Sequence, residues 1–261
     1  MKGADWRPLV GEKDGPSGGS GLPRRLTLSV CGARHNAAVP EPSDPRFLDV
    51  LNQGHVDALR ALGRTRRFGV GAPLFHEREP GEAVLVLTAG RVKLSCVTEG
   101  GREALLGIRE PGDLIGEMSA LDGGPRSATA TALEPVEVIA VSREAFTGFL
   151  ERTPGVALVL ARMIARRLRD ADRKRIEYLA QDTVGRVCSR LVELSDRFGE
   201  AEGGGMHIEL AITQEDLAGW TGSSREAVIR ALRALRELGW IETRRRGVTL
   251  LDVEQLRRRA V

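Results

Sequence analysis

Residues 112–133 read GDLIGEMSALDGGPRSATATAL, a stretch in which Gly, Ala and Ser crowd around a single Glu, Glu117, and a single Arg, Arg126. Its surroundings decide the fold. Upstream lie AVLVLTAGRVKLSCV (83–97) and REALLGI (102–108), and downstream VEVIAV (136–141), short segments of alternating apolar character. Gly and Pro-Gly pairs punctuate them at 80–81, 100–101, 111–112 and 123–125. Short strands with turn signals between them predict an antiparallel sandwich or barrel.

The pattern turns helical on both sides of this β region. PRFLDVLNQGHVDALRALG (45–63) spaces Phe47, Leu48, Leu51, Val56, Leu59 and Leu62 as one helix face would. Beyond Ser142 a long helical segment carries Ala157, Ala161, Ile164, Leu168, Ala171 and Tyr178 at spacings of 4, 3, 4, 3 and 7, with Arg175 interrupting the row. A seam of heptad period on a long helix is best satisfied by a partner helix, most simply its own copy in a homodimer. From Asp182 onward DTVGRVCSRLVELSDRFG is amphipathic, and GEAEGGGM (199–206) reads as a loop.

TQEDLAGWTGSSREAVIRALRAL (213–235) has the spacing of a helix-turn-helix. Thr213 with Asp216 makes a capping box, and Ala218 and Gly222 supply the small crossing residue and the turn. Ser223 or Ser224 caps the second helix, with Leu217 and Val228 packed between the two. WIET and VTLL, joined by RRRG, read as a β-hairpin wing. The second helix presents Arg225, Glu226 and Arg230 in its first turns. Arg can pair with guanine O6 and N7, and Glu can accept from cytosine N4. Equally, Glu226 could complete a capping box and Arg230 could lie on a solvated face. Residues 225–246 hold seven Arg against three Glu, a surplus of four positive charges that includes Arg244, Arg245 and Arg246 and suits a phosphate-facing surface.

GEAVLVLTAGRVKL, GDLIGEMSALDGGPRSATATA, the ARRL helix and the helix-turn-helix resemble, in order, landmarks of the cAMP receptor protein and FNR superfamily of bacterial transcription regulators, over roughly 46–251. The Gly-, Pro- and Ser-rich N-terminus predicts a disordered tail over 1–44, and the resemblance implies an α+β chain with three further parts: a cyclic-nucleotide-binding β jelly roll (45–153), a long dimerisation helix (154–180) and a C-terminal winged helix-turn-helix (181–261). The stretch quoted first resembles the family's phosphate-binding cassette. On that reading Gly116 lets the backbone approach the ligand, Arg126 and Ser127 hold a cyclic phosphate, Glu117 receives the ribose 2′-hydroxyl, and Met118 lies beside them. Alternatively, Glu117 and Arg126 form a salt bridge that only staples the loop. Arg167 is expected near the pocket, and the two positions that carry hydroxyls toward the base in cAMP-binding members align with Ala171 and Asp172. Expected partners are double-stranded DNA through Thr213, Ser223, Ser224, Arg225, Glu226, Arg230 and Arg244–Arg246, a second copy of the chain, RNA polymerase, and cAMP or another cyclic nucleotide as effector. No prosthetic group is expected.

Composition narrows the alternatives. The 261 residues are 41% hydrophobic and 29% charged with a net charge of +3, an ordinary globular balance. No apolar run has the length of a membrane span, so no membrane partner is expected. Cys31, Cys96 and Cys188 are far apart, which argues against a zinc site or disulfide framework and for the reduced cytoplasm. Clustered cysteines for an iron–sulfur sensor are missing, and His76 stands alone in the β region. A metal-dependent cupin-like enzyme would need several His converging on one barrel, whereas the four His at 35, 55, 76 and 207 are scattered. An enzyme is therefore not expected. A nucleotide-binding module acting only on a partner protein would leave Arg225 and Arg244–Arg246 without a purpose.

Overall fold

A computed structural model describes residues 45–209, 212–244 and 247–260. The expected tail over 1–44, and Arg245 and Arg246, lie outside them. The first helical segment is broken in two. A 3-10 turn at Leu48–Val50 precedes α1 (Gln53–Leu62), because Asn52 takes an extended conformation and its side chain caps the His55 N–H at 2.8 Å. Then follow β1 (Arg64–Phe68), β2 (Pro73–Phe75), β3 (Ala83–Ala89), β4 (Val92–Val97), β5 (Glu103–Arg109), β6 (Leu114–Ile115), α2 (Glu117–Asp122), β7 (Thr129–Ala132) and β8 (Val136–Ser142). They form two four-stranded antiparallel sheets, ordered β1-β8-β3-β6 and β2-β7-β4-β5. The sequential strands β3 and β4 belong to different sheets, as in a jelly roll. Leu85, Leu87, Val92, Ala130, Val136 and Val138 fill the space between them.

Ser142 caps α3 (Arg143–Arg152), and Pro154 opens α4 (Pro154–Ala180) at a position where its missing N–H costs no helical bond. The apolar surface of α4 is divided differently from the expected seam. Val156, Leu160 and Met163 are buried against Phe146, Phe149 and the β domain, and Ala157 and Ile164 pack there too. Tyr178 donates its hydroxyl to the Trp220 carbonyl at 2.8 Å. Of the expected seam, Ala161, Leu168, Ala171 and Tyr178 remain exposed, and a continuous exposed row runs through Leu158, Ala161, Ala165, Leu168, Asp172, Arg175 and Leu179 at alternating spacings of three and four. Two apolar stripes lie side by side on this helix, and periodicity alone does not say which one its own domain covers.

The C-terminal domain comprises α5 (Thr183–Phe198), β9 (Gly199–Glu202), β10 (Gly205–Glu209), α6 (Gln214–Thr221), α7 (Arg225–Glu237), β11 (Ile241–Arg244), β12 (Gly247–Leu250) and α8 (Val253–Arg259). The segment read as a loop, GEAEGGGM, is a hairpin. Gly203 and Gly204 both have positive φ, 58° and 85°, as a two-residue turn with matching twist requires. It extends the wing into a four-stranded sheet, β11-β12-β10-β9. The rest of the helix-turn-helix follows the sequence reading. Both arms of the Thr213–Asp216 capping box form, Gly222 ends α6 at φ 58°, and Leu217 and Val228 are buried between α6 and α7.

Leu105 and Ile108 of β5 join the core of this C-terminal domain together with Trp220 and Leu191. β5 is the edge of its sheet, and α6 covers it. The contact needs a glycine, because a Cβ at Gly219 would lie 2.3 Å from the Glu103 carbonyl oxygen.

Candidate effector pocket and nucleic-acid interface

β6 runs into α2 through Gly116, whose φ of 79° is the left-handed conformation that glycine adopts freely. A Cβ there would stand 2.1 Å from an Arg126 Nη. Arg126 is 5% exposed, and its guanidinium carbon lies over the Phe75 ring, 4.3 Å from the centroid. It donates from Nη1 to the Gly116 carbonyl at 3.0 Å and from Nη2 to the Ala83 carbonyl at 2.5 Å, while its buried Nε–H has no partner. Burial pushes the Arg126 pKa down, against the pull of Glu117, Glu79 and Glu82. Guanidinium remains charged under any such shift. The site therefore holds a desolvated cation with an unused donor, in a cradle whose floor has no side chain.

Glu117 is likewise buried, and its partner is not Arg126. Arg167 of α4 reaches down to it, Nη1 to Oε1 at 2.6 Å, and donates from Nη2 to the Leu114 carbonyl at 3.2 Å. Asp113 stands 3.6 Å from the same guanidinium. No Glu117–Arg126 ion pair occurs among the described residues, so the staple reading is corrected: Glu117 ties the cassette to α4. Ser127 and Met118 are exposed at the rim, with the hydroxyl 3.9 Å from the sulfur. Gly116, Glu117, Met118, Arg126, Ser127 and Arg167 thus come together. Ala171 and Asp172 do not join them. Both are exposed on α4, where Asp172 lies in the outward row and faces Arg175 at 3.9 Å.

On the C-terminal domain, Arg225, Glu226 and Arg230 all project from the first turns of α7 into solvent. Ser224 is the cap, accepting from the Ala227 N–H at 3.2 Å. Ser223 instead turns its hydroxyl inward, 3.3 Å from that of Thr183 and 3.2 Å from an Arg186 Nη. Glu226 belongs to the capping turn as well. Its own backbone N–H, then the Ser224 hydroxyl, hold its pKa below the usual range, so it is a ready acceptor. Neither Arg225 nor Arg230 has an ion-pair partner among the described residues. The Thr213 hydroxyl is occupied by Asp216 at 2.7 Å, and Arg244, at the turn end of β11, is shared with Glu202 and Glu242.

Sequence reasoning missed the residues that join the two domains. Lys93 of β4 donates to Asp216 Oδ1 at 2.6 Å, so the capping-box carboxylate also anchors α6 to the β domain. Arg197 of α5 bridges to Glu110 at 3.0 Å. Behind α6, Arg190 contacts Glu177 and Glu193, and Lys174 and Arg190 lie 5.5 and 5.8 Å from the Trp220 ring. Arg186 donates to the carbonyls of Gln181 and Thr221, linking the end of α4 to the turn of the helix-turn-helix. These partners are separated by up to 123 positions in sequence. The one local signal was Gly219, a glycine inside a helical pattern, which marks a close approach.

Among the described residues no three His, Cys, Asp or Glu side chains converge as a metal-binding set, and no helix is long and apolar enough to cross a membrane. Comparison with known proteins agrees with the architecture. The family described as "Cyclic nucleotide-binding domain" matches residues 65–153, and the "Crp-like helix-turn-helix domain" matches 185–259. The "CRP-like cAMP-activated global transcriptional regulator" of Mycobacterium tuberculosis is 37% identical over 193 residues, 74% of this chain and 86% of the relative. The "Cyclic AMP receptor protein" of Thermus thermophilus is 36% identical over 184 residues, 70% of this chain and 82% of the relative. A solved structure of a CRP-family transcriptional regulator, also from Thermus thermophilus, superposes with a TM-score of 0.65 at 27% identity, covering 75% of this chain and 96% of that one. The chain belongs to the Crp-Fnr superfamily of transcription regulators, with a cyclic nucleotide-binding domain joined by a long helix to a Crp-like helix-turn-helix domain.

Proposed function

We propose that the protein is a homodimeric regulator that takes a cyclic nucleotide in the 116–127 cassette and thereby controls how its two α7 helices meet a pseudo-palindromic DNA site. The observation that carries the reading is Arg126: a buried guanidinium with an unpartnered Nε–H beside a glycine floor, which an anion would complete. A phosphate would take charge-assisted bonds from Arg126 and one from Ser127, and Glu117 would accept the ribose 2′-hydroxyl. Glu117 already binds Arg167 on α4, so a ligand drawing on that carboxylate acts directly on the long helix. The exposed row from Leu158 to Leu179 supports pairing of α4 with its copy. The names of the mycobacterial and Thermus relatives support cAMP as the effector and the transcription machinery, RNA polymerase, as the eventual partner. A two-fold dimer reads half-sites about 10 base pairs apart, centre to centre, or a multiple of that.

Calorimetric titration of the intact protein with cAMP and with cGMP tests the effector. Saturable binding of one nucleotide per chain is expected. Absence of heat with both, in protein that is folded by circular dichroism, would reject a cyclic-nucleotide effector.

A further inference from the structure

α7 carries one side chain whose chemistry does not match its neighbours. Ile229 is 39% exposed on the outward face, on the side nearer the buried stripe that Val228, Ala231, Leu232 and Leu235 supply. At 3.6 residues per turn it falls roughly 40° around the helix from Arg225, with Glu226 and Arg230 at about 100° and 140°. It therefore lies within the arc that those three polar residues define, one turn beyond Arg225. The position does not serve the fold: Ile229 belongs to no core cluster, and a β-branched side chain there lowers helix propensity relative to Ala. The major groove offers one prominent apolar group to such a side chain, the C5-methyl of thymine.

We infer that Ile229 is a specificity-determining residue that packs on a thymine methyl next to the base pairs read by Arg225 and Glu226. This rests on the proposal that α7 enters the major groove. Arg225 and Arg230 select guanine and Glu226 selects cytosine by hydrogen bonds, and none of them distinguishes thymine by its methyl. Ile229 adds that discrimination through dispersion and dehydration, so it prefers thymine over cytosine and over uracil. The contact also gives direction to a half-site, because the methyl projects from only one strand of the pair.

The experiment begins with a duplex selected from random DNA by the intact protein, with Arg225→Ala as the check on α7. Each thymine of both half-sites is then replaced by deoxyuridine, which removes only the methyl. For wild type, one thymine per half-site should weaken binding about fourfold on replacement, the loss expected for one buried methyl. Ile229→Ala should bind the thymine and uracil duplexes equally, while Ile229→Val keeps part of the preference. Ile229 is exposed and Ala favours helix, so the variant should melt as wild type does. Indifference of wild type to every uracil, or an unchanged methyl preference in Ile229→Ala, would overturn the inference. Failure of the underlying reading looks different: no sequence is enriched, or Arg225→Ala selects the same site.

Discussion

Arg126 has five N–H donors, of which two serve backbone carbonyls and the buried Nε–H serves nothing. A charge-assisted hydrogen bond contributes about 1.5–3 kcal/mol, so loss of two such bonds to a cyclic phosphate would cost at least a hundredfold in affinity. Arg126→Ala is therefore expected to abolish nucleotide binding in calorimetry. Because Arg126 also bonds to Gly116 and Ala83, the thermal midpoint is measured alongside. Glu117→Ala should weaken cAMP far more than 2′-deoxy-cAMP, and equal losses for the two would remove Glu117 from the sugar. Both residues stand out in the sequence as the lone Glu and lone Arg of residues 112–133, but the partners they take in the structure do not. Glu117 and Arg126 are nine positions apart, at the start of α2 and in the loop that follows it, whereas the bond that forms is to Arg167, 50 positions away on α4. Spacing within a loop says nothing of what another element lowers onto it.

α6 and α4 are the elements that join the two domains. Gly219→Ala raises the helix propensity of α6 by about 1 kcal/mol yet puts a methyl 2.3 Å from the Glu103 carbonyl oxygen. The variant should keep its helix content while α6 lifts from the edge of β5. Hydrogen exchange of β5 amides should then be faster than in wild type, and unchanged exchange would deny that α6 protects this edge. On α4, Leu168→Asp places a charge on the exposed row and should yield folded monomer by sedimentation. Ile164→Asp buries a charge against the protein's own β domain and should lower the melting temperature instead. An intact dimer in Leu168→Asp would contradict pairing through this row. The heptad period was readable in the sequence and the face only in part: Ala161 and Leu168 lie in the exposed row as well as in the expected one, while Ala157 and Ile164, as apolar as Leu158, pack on the β domain. The β9–β10 hairpin was hidden for a related reason: its Gly-Gly turn and polar strands resemble a loop until a sheet is there to receive them.

The two domains are held together by α4, by the apolar packing of Leu105 and Ile108 against Trp220 and Leu191, and by charged contacts beside it. Burial alone would raise the Asp216 pKa, but its bonds to Lys93 and Thr213 outweigh that and hold it below 3.8. Such a carboxylate stabilises docking above its unfolded value and loses that contribution as pH falls through its lowered folded value. Lys93, also held against desolvation by Asp216 and Glu103, has a raised pKa, so its share persists through neutral pH and is lost only above about 10.5. Domain docking should thus be flat with pH near neutrality and loosen below about pH 4, with Lys93→Met removing that acid step in a hydrogen-exchange series. The order of domains and the helix-turn-helix were legible because capping, turn glycines and apolar period act locally. The joint was not, since Lys93 and Asp216 meet only after both domains fold. Gating of DNA binding by a ligand in the cassette is read from the anisotropy of a labelled duplex carrying the selected pseudo-palindrome, titrated at fixed salt with and without cAMP or cGMP. A cyclic nucleotide should tighten wild-type binding by a factor in the range of about 5–150 typical of coupled sites, and should leave Arg126→Ala unchanged; equal affinity with and without both nucleotides, or the same response in Arg126→Ala, would contradict it.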